Sequence, residues 1–360
     1  MNEHLVSFIV PVYNAARTLQ TCINSIQQQT YPFFEIILIN DGSTDGSGEL
    51  CDAYATEDFR IRTFHQANSG PAAARNKGIH HAIGTYIQFV DADDVIDPQM
   101  TKTLIAHMTE EIDVVICGYA TTVAKRGKEK HHVHIPSVSG TFSHETFIDQ
   151  LGQLYAETIF PSPCNKLYKS DVILAEHIRF MDAFHMGEDV LFNVDYMEVC
   201  NAVAIVPEAL YTYIIREEAS LSRRFHPNYV HYQLHIHSHI IEFLTRKNKL
   251  HGPNNTAIQK MFMKSMMNSF THLFHPDNKE TKAEKQEHIH TLLHDETIRK
   301  QLPHLRGSLQ ACIVRQLMKR KSTKGIYTFF HVKQRIKTRA HPLYKFLKKI
   351  DARTKEVIHL

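Results

Sequence analysis

The sequence predicts an α/β fold: a Rossmann-like, mostly parallel sheet with helices on both faces, followed by a smaller, mainly α-helical C-terminal region. In the first half of the chain, short apolar runs alternate with helical patterns, as in proteins that form parallel sheets. After about residue 226 only helical periodicity continues. Because 360 residues exceed what one compact core usually holds, we expect two domains, residues 1–225 and 226–360.

The strands are predicted from short apolar runs that end at polar or turn-forming residues. In chain order these runs are VSFIVPVY, FEIILIND, RIRTFH, TYIQFV, DVVICGYATTV and AVAIVPEALYTYIIR. The segment AKRGKEKHHVHIPSVSG is polar and carries Gly and Pro, so it is predicted to be an exposed connection.

The helices are predicted from apolar residues that recur at helical spacing. The segment ARTLQTCINSIQQQ places Leu19, Cys22, Ile23 and Ile26 on one face. Three further helical patterns are ELCDAYATE, NSGPAAARNKGIHHA and TKTLIAHMTE, and a helical pair is expected around residues 145–200.

Composition and charge indicate a cytoplasmic protein. Hydrophobic residues make up 43% and charged residues 22% of the chain, and no apolar run approaches the roughly 18 residues of a membrane span. The N-terminus lacks the basic region of a signal peptide. The six cysteines are scattered without a CxxC pair, which favours buried thiols over disulfides or structural zinc.

The predicted strands end at polar residues that share one edge of the sheet. No GxGxxG or GK[ST] loop follows the first strand, because Pro11 and Tyr13 stand there, which excludes a dinucleotide fingerprint and a P-loop. Ligands of open α/β sheets bind at the carboxyl ends of the strands. The polar residues at these ends are Tyr13, Asp41, Asn68, Asp91 and Asp93.

Two of these positions allow a structural as well as a functional interpretation. Asp41 follows the second strand, where it would accept hydrogen bonds from a base or ribose, or open a local Asx turn in DGSTDG. Arg75 lies in GPAAARNKG, where its guanidinium would hold an anionic group in bidentate fashion or remain solvated on a helix.

The segment YIQFVDADDVIDP directs several carboxylates to the end of the fourth strand. An Asp-x-Asp pair there can bind Mg²⁺ or Mn²⁺ while substrate phosphates complete the coordination. An EF-hand is excluded, because Val95 and Ile96 occupy the positions of a ligand and of the required glycine. The alternative is a turn in which Asp94 or Asp97 caps the helix after Pro98.

A second carboxylate pair, Glu188 and Asp189, opens a predicted helix in HMGEDVLFNVDYM. Acidic residues at this position favour a helix N-terminus. A carboxylate there can instead act as general base toward a hydroxyl group. Spacing does not distinguish the two interpretations.

Six segments in order, VSFIVPVYNAARTLQTCINSIQQQT, FEIILINDGSTDGS, NSGPAAARNKGI, GTYIQFVDADD, PCNKLYK and GEDVLFN, carry a resemblance to a known family. They resemble the bacterial family 2 glycosyltransferases of the GT-A fold, including those that decorate wall teichoic acids and build exopolysaccharides. The resemblance covers about residues 5 to 224. One departure is Cys164, which stands where many relatives have Trp, on the acceptor side.

The resemblance implies a role for each matching residue. Asp189, next to Glu188, corresponds to the general base and Asp93 to the ligand of Mn²⁺ or Mg²⁺. The implied donor-binding residues are Pro11 and Tyr13 facing the base, Asp41 at the uracil, Asn68 and Arg75 in the donor loop, Asp91 near the ribose and Arg216 near the diphosphate.

The implied reaction is a single displacement. A sugar would move from a nucleoside-diphosphate sugar, UDP-linked, to a hydroxyl of a polymer or lipid-linked acceptor with inversion at the anomeric carbon. Two alternatives stay open: a nucleotidyltransferase acting on sugar phosphates, and an inactive protein that binds nucleotide-sugars or carbohydrates.

The C-terminal tail is strongly basic. From Lys319 to Leu360 there are 13 Lys and Arg residues against two acids. Basic and aromatic residues are interspersed, which predicts docking as an amphipathic helix on an anionic membrane, at the inner face of the cell membrane. A solvated helix and an anionic polymer acceptor are the alternatives. No nucleic-acid-binding fold accompanies the tail, so no nucleic acid partner is expected, and a homo-oligomer is left open.

Overall fold

The structure, a computed structural model, describes residues 4–125, 128–184, 186–216, 225–303, 305 and 308–339. The chain divides into two compact units, Met1–Ser222 and Arg223–Leu360, called here the N-terminal and the C-terminal unit. The second half of the predicted basic tail, residues 340–360, lies outside the described residues.

The N-terminal unit is built on a mixed, mostly parallel sheet, which confirms the predicted fold class. Its strands are β1 (Val6–Val12), β2 (Phe34–Asp41), β3 (Ile61–Gln66), β4 (Tyr86–Phe89), β5 (Val95–Ile96), β6 (Val114–Lys125), β7 (Lys128–His134), β8 (Gly140–Ser143), β9 (Lys166–Lys169) and β10 (Ala202–Ile215). β1 and β2 are buried almost throughout, as expected for strands covered on both faces.

The sheet order brings the carboxyl ends of the first strands to one edge. The order is β3-β2-β1-β4-β9-β6-β10-β5, with β7 against β6 and β8 against β10. β1 pairs in parallel with both β2 and β4, and β2 with β3. β9 runs antiparallel between β4 and β6. The loops that follow β1, β2, β3 and β4 therefore surround one crevice.

Helices cover this sheet. They are α1 (Leu19–Gln27), α2 (Ser47–Glu57), α3 (Gly70–His81), α4 (Met100–Ala106), α5 (His144–Ala156), α6 (Ser170–Ala175) and α7 (Glu188–Val199). The predicted stripe of α1 is confirmed, since all four of its apolar residues are buried. α3 lies very close to β1, because a Cβ on Gly78 would stand 2.2 Å from Ile9 Cγ2. This helix carries Arg75 into the site.

Four strands of the structure, β5, β7, β8 and β9, are absent from the sequence prediction. The polar segment after β6 was expected to be a connection, but residues 128–134 form β7, which pairs antiparallel with β6. β6 and β7 form a hairpin, and β7 is exposed to solvent. Because a solvated strand can consist of polar residues, its composition resembled that of a loop. The short strand β9 lies where a helical pair was expected, because four residues are too few to show a period.

The C-terminal unit is helical throughout its described residues. Its helices are α8 (Tyr229–Arg246), α9 (Gly252–His272), α10 (Lys282–His294), α11 (Glu296–Gln301), α12 (Leu309–Lys319) and α13 (Thr323–Arg339). They enclose an apolar core that includes Phe262, Met266 and Phe270. α13 contributes Ile326 and Phe330 to this core, both fully buried. These two residues of the tail therefore stabilise the unit and do not face outward.

None of the helices within the described residues combines the length and the apolar character needed to cross a bilayer.

Candidate active site

The candidate site lies at the carboxyl edge of the sheet. Tyr13 follows β1 and is 52% exposed, beside the half-buried Pro11 within that strand. Asp41 ends β2, and Asn68 lies in the loop between β3 and α3. The acidic segment 91–94 follows β4, the Glu188–Asp189 pair begins α7, and Arg216 follows β10. The fold thus gathers the predicted site residues around one crevice.

Asp41 is held by local hydrogen bonds. Its Oδ1 accepts hydrogen bonds from Gln66 Nε2 and the Ser69 amide, and its Oδ2 accepts one from the Gly70 amide, each at 2.8 Å. These bonds satisfy backbone amides at the start of α3. They also provide the buried Asp41 carboxylate with hydrogen-bond partners from the protein itself. The predicted contact with uracil stays a prediction.

The Asn68 loop packs tightly on the turn after β2. Gly42 has a φ of +69°, in the left-handed region that favours glycine, and a Cβ there would stand 2.7 Å from the Asn68 backbone nitrogen. The backbone of this loop is therefore fixed in place next to the end of β2, where a donor nucleotide is expected.

Arg75 is the electrostatic centre of the site. Only 4% of the residue is exposed, and its guanidinium lies 5.2 Å from the centre of the Phe180 ring. Nη1 donates to Asp189 Oδ1 at 2.9 Å, and Nη2 donates to Asp91 Oδ1 at 2.9 Å. Nη1 also lies 3.5 Å from Glu188 Oε1. A single buried cation thus joins carboxylates that are about 100 residues apart in sequence.

The charge of Arg75 is maintained by these partners. Burial disfavours the charged form, but the nearby Asp189 and Asp91 raise the pKa of Arg75 well above its ordinary value. The interpretation of Arg75 as a solvated helix residue is wrong, since the side chain is buried. Its predicted role in binding the donor is a separate matter and remains a prediction.

Within the acidic segment, the carboxylates of Asp91 and Asp94 already have protein partners. Asp91 pairs with Arg75. Asp94 is 4% exposed and accepts hydrogen bonds from Tyr211 Oη at 2.8 Å and from the Ile214 amide at 2.9 Å. Burial, together with the charges of Asp91 and Asp93, raises the pKa of Asp94 well above its usual range. Asp94 therefore fixes the segment to β10 and does not cap a helix.

Asp97 takes part in the turn before α4. Its Oδ1 accepts a hydrogen bond from the Gln99 amide at 2.8 Å, as in an Asx turn. Asp97 therefore forms the predicted turn but does not cap α4, whose N-cap position is occupied by Gln99 without a side-chain cap.

Asp93 is the carboxylate of this segment that points to solvent. It accepts a hydrogen bond from its own backbone amide, and its carbonyl oxygen accepts one from Arg216 Nη1 at 3.0 Å. Partial enclosure and the charge of Asp91 raise the pKa of Asp93. Arg216 is thereby located beside the acidic segment, where both residues would meet a diphosphate.

The acidic segment offers carboxylate ligands for a divalent cation. Within the described residues, no three His, Cys, Asp or Glu side chains form a group that could hold a metal ion by themselves. Mg²⁺ and Mn²⁺ sites in nucleotide-dependent enzymes often use one or two carboxylates, with substrate phosphates and water as the other ligands. Asp93, exposed and close to other carboxylates, fits a site of this kind.

Asp189 combines several features of a general base. Burial raises its pKa to about 7, Arg75 opposes this shift, and the charges of Glu188 and Asp91 add to it. About 32% of its side chain remains exposed, which leaves it accessible to a hydroxyl group. At the start of α7, Gly187 occupies the N-cap position with a φ of +86°, and no side chain caps the helix. Helix capping therefore does not explain Asp189.

Sequence reasoning missed residues whose hydrogen bonds hold the site residues in place. The Tyr211 hydroxyl donates a hydrogen bond to Asp94 Oδ2 and accepts one from the Asp91 amide at 3.2 Å. Asn193 lies on α7 and Lys166 on β9, and both are described below. They belong to the segments PCNKLYK and GEDVLFN, which carried the family resemblance, but nothing in those segments indicated their contacts.

The fold and this site define a class, the GT-A glycosyltransferases, and comparisons with known proteins identify the family. The family model described as "Glycosyl transferase family 2" matches residues 7–174. The putative glycosyltransferase EpsH of Bacillus subtilis is 32% identical over 257 residues, which covers 69% of this chain and 72% of EpsH. The uncharacterized glycosyltransferase EpsJ of the same organism is 34% identical, over 58% of this chain and 60% of EpsJ.

A solved structure shows the same fold. Residues 1–349 of S. aureus TarS, crystallised with UDP-GlcNAc, superpose with a TM-score of 0.68 at 20% identity, covering 92% of this chain and 91% of that one. The chain belongs to glycosyltransferase family 2, and it is a glycosyltransferase, as the resemblance implied.

Proposed function

We propose that the protein transfers a sugar from a UDP-linked donor to a hydroxyl group of a cell-envelope glycan, teichoic acid or lipid-linked acceptor, with inversion. The observation that carries this proposal is the Arg75 bridge, which sets the Asp189 carboxylate beside Asp91 in one crevice. A base and a donor-side carboxylate held together in this way suit a direct displacement. The UDP-GlcNAc complex of TarS, a protein of the same fold, supports the choice of donor.

The donor would lie across the carboxyl edge of the sheet, within domain 1–225. Pro11 and Tyr13 would face the nucleotide base, with Asp41 and Asn68 beside it and Asp91 near the ribose. The 52% exposure of Tyr13 leaves its ring available for stacking on a base. Arg216, next to the acidic segment, would approach the diphosphate.

Asp189 would then act on the acceptor. Its carboxylate removes the proton of the acceptor hydroxyl while that oxygen attacks the anomeric carbon. The new carbon–oxygen bond forms on the face opposite the leaving group. The bond from the anomeric carbon to the phosphate oxygen breaks, and its electron pair leaves with UDP. The configuration therefore inverts, and no covalent enzyme intermediate is required.

Asp93 would hold Mn²⁺ or Mg²⁺ together with the phosphates of the donor. Such a cation supplies positive charge where negative charge develops on the departing diphosphate. Arg216 would supply part of the same stabilisation from the protein side.

We also propose that the C-terminal unit places the enzyme on an anionic membrane surface, at the inner face of the cell membrane. Between Leu309 and Arg339 the sequence has nine Lys and Arg residues and no Asp or Glu. Leu309, Ile313 and Val332 are apolar residues exposed on α12 and α13. Basic side chains with exposed apolar neighbours suit a headgroup layer of anionic lipids. A homo-oligomer remains open.

A donor screen tests the proposed reaction. Purified protein would be incubated with a panel of UDP-sugars and Mn²⁺, with release of UDP as the measurement. We expect one donor to be turned over well above the others. Pyrophosphate released from a nucleoside triphosphate and a sugar phosphate, with no UDP-sugar used, would instead support the nucleotidyltransferase alternative.

A further inference from the structure

Lys166, the first residue of β9, is a buried cation that the reaction described above does not use. Its exposed fraction is 0%, and no Asp or Glu of the described residues forms an ion pair with it. Its Nζ donates to Phe160 O at 3.0 Å, to Asn165 Oδ1 at 2.9 Å and to Ile159 O at 3.3 Å, and also to Ser162 O. Lys166 is therefore solvated by the protein backbone in place of water.

Such an arrangement constrains the chain that supplies the acceptors. Burying a charge without a counter-ion is costly unless its hydrogen bonds are satisfied. Burial accordingly lowers the pKa of Lys166 to about 7. Three of its four acceptors are the backbone carbonyl oxygens of Ile159, Phe160 and Ser162, which turn inward toward Nζ. Residues 159–165, called here the lysine loop, are thereby wrapped around Lys166.

The lysine loop is also fastened to the helix that carries the proposed base. Asn193 Nδ2 donates to Phe160 O at 3.1 Å and to Pro161 O at 2.9 Å. Asn193 lies four residues after Asp189, on the same face of α7 one turn later. Tyr168 Oη in turn donates to Asn193 Oδ1 at 2.6 Å. Phe160 O accepts hydrogen bonds from both Lys166 and Asn193 and thus connects Lys166 to the base helix.

The other end of the lysine loop is joined to β10. The Cys164 amide donates to Ser162 Oγ at 3.0 Å, and that hydroxyl is hydrogen-bonded to Tyr213 Oη. Cys164 is 1% exposed. Burial raises the pKa of its thiol well above the usual value, and the charge of Asp91 adds to this effect while Arg75 opposes it. Cys164 is therefore a buried residue at the end of the lysine loop, whose accessibility reports on the opening of that loop.

We propose that Lys166 is a positioning residue, whose side-chain amino group holds the lysine loop against α7 and so fixes the position of Asp189 on that helix. The proposal rests on the proposed function only in taking Asp189 as the base. The hydrogen bonds of Lys166 do not involve Asp41, Asn68 or Asp93. Its loss should therefore impair turnover and leave donor binding intact.

The first test measures the loop itself and needs no activity. Lys166→Met removes the donors and leaves the loop carbonyls without a partner, so the loop should open more often. Alkylation of Cys164 by iodoacetamide, followed by peptide mass spectrometry, should become about tenfold faster or more, which corresponds to about 1.4 kcal/mol in the opening equilibrium. Lys169→Met is the matched control, because Lys169 lies on the same strand but bonds to Glu110 O and Asp113.

A second variant covers the case in which Lys166→Met does not fold. Asn193→Ala keeps Lys166 and removes the two bonds to Phe160 O and Pro161 O, so it should also accelerate labelling of Cys164. If Cys164 stays as unreactive as in the wild type in whichever of these variants folds, the loop does not depend on this network and the proposal is wrong.

The second test separates positioning from donor binding. With the UDP-sugar that the wild type turns over, Lys166→Met should lower kcat by about tenfold or more, while the affinity for UDP, measured by calorimetry, stays within about twofold. An equal loss of UDP affinity would overturn the positioning role. If the wild type turns over no UDP-sugar, the proposed function fails, whereas the labelling experiment still decides the role of Lys166.

Discussion

The two units of the chain bury different kinds of polar groups. In the N-terminal unit, the buried side chains include Asp41, Arg75, Asp94, Lys166 and Glu188. Among the described residues of the C-terminal unit, by contrast, no Asp, Glu, Lys or Arg is buried, and the buried polar side chains are His, Asn, Gln and Ser. Its core is formed by residues such as Phe262, Phe270 and Phe330.

The difference indicates where chemistry takes place. A buried charge costs free energy even when it is paired, so it is a poor means of stabilising a fold. Shifted pKa values and clustered charges gather instead at functional sites. The N-terminal unit carries them at the carboxyl edge of its sheet. The C-terminal unit has a conventional apolar core, and its charged groups remain at the surface, where they can meet a partner.

The largest effect is expected at the exposed carboxylate of the acidic segment. If Asp93 binds a divalent cation with the donor diphosphate, Asp93→Ala should reduce turnover by about 10³-fold or more, and EDTA should do the same reversibly. Asp97→Ala is the matched control, because Asp97 serves only the turn before α4. Full activity in EDTA would show that the acidic segment acts without a metal.

The next effect concerns the carboxylate pair of α7. Asp189→Asn keeps the shape of the side chain but removes the proton acceptor, so turnover should fall by about 10²-fold or more while UDP affinity survives. Glu188→Gln should be milder, since Glu188 is buried and lies farther from Arg75. A greater loss in Glu188→Gln would assign the base to the neighbouring residue.

In the C-terminal unit, a pH effect on stability is expected instead of one on activity. His237 is buried, its Nε2 lies 3.0 Å from Ser265 Oγ, and its ring packs edge-on to Phe262. Burial lowers the pKa of His237 to about 3. Below about pH 6.5, His237 therefore binds a proton in the unfolded chain but stays neutral in the folded chain. The stability that neutral His237 contributes is fully present above that pH. As the pH falls below it, the free energy of unfolding decreases by about 1.4 kcal/mol per pH unit.

A non-titrating variant measures this contribution. His237→Gln should flatten the acid dependence of protection in α9, read by hydrogen exchange between about pH 6 and pH 4. The exposed His231 on the same helix provides the control His231→Gln. An unchanged acid dependence in His237→Gln would mean that another group is responsible.

The smallest effects are expected at the basic surface. Truncation at residue 318 is a poor test of membrane docking, because it would also remove the core residues Ile326 and Phe330. Charge reversal of exposed Arg320 and Lys324 avoids this. Each basic residue near anionic lipid contributes about 1 kcal/mol. Arg320→Glu with Lys324→Glu should therefore weaken binding to phosphatidylglycerol-rich vesicles, while turnover with a soluble acceptor is retained. Lys130→Glu on β7 is the control. The docking role would be refuted if the double variant bound the vesicles as well as the wild type or this control does.

Sequence patterns predicted the parts of this fold that local periodicity encodes. The stripe of α1 and the buried runs of β1 and β2 needed only spacing and hydrophobicity, and the strand ends then located the acidic edge. Two features lay beyond such reasoning. Arg75 and Asp189 are 114 residues apart, and only the tertiary fold brings them to 2.9 Å. Likewise, the sequence did not indicate the buried contacts of Lys166, because its acceptors are mostly backbone carbonyls, which carry no sequence signature.

The basic tail packs part of its apolar face inside the C-terminal unit, and its membrane docking stays a prediction. Its mixture of aromatic and basic residues suggested a helix free to lie on a membrane. The structure places Ile326 and Phe330 of α13 inside the C-terminal unit, because a helix packed at the surface of a unit has the same amphipathic pattern.

The dependence of turnover on pH tests most directly the claim that Asp189 acts as the base at a charged sheet edge. UDP release from the preferred donor would be measured in saturating Mn²⁺ from about pH 5 to about pH 9. Because the pKa of Asp189 is raised to about 7, the wild-type rate should fall about tenfold per unit as the pH drops below that value. The residual rate of Asp189→Asn should lack this acidic limb. An acidic limb of the same position and slope in Asp189→Asn would contradict the assignment of Asp189 as the base.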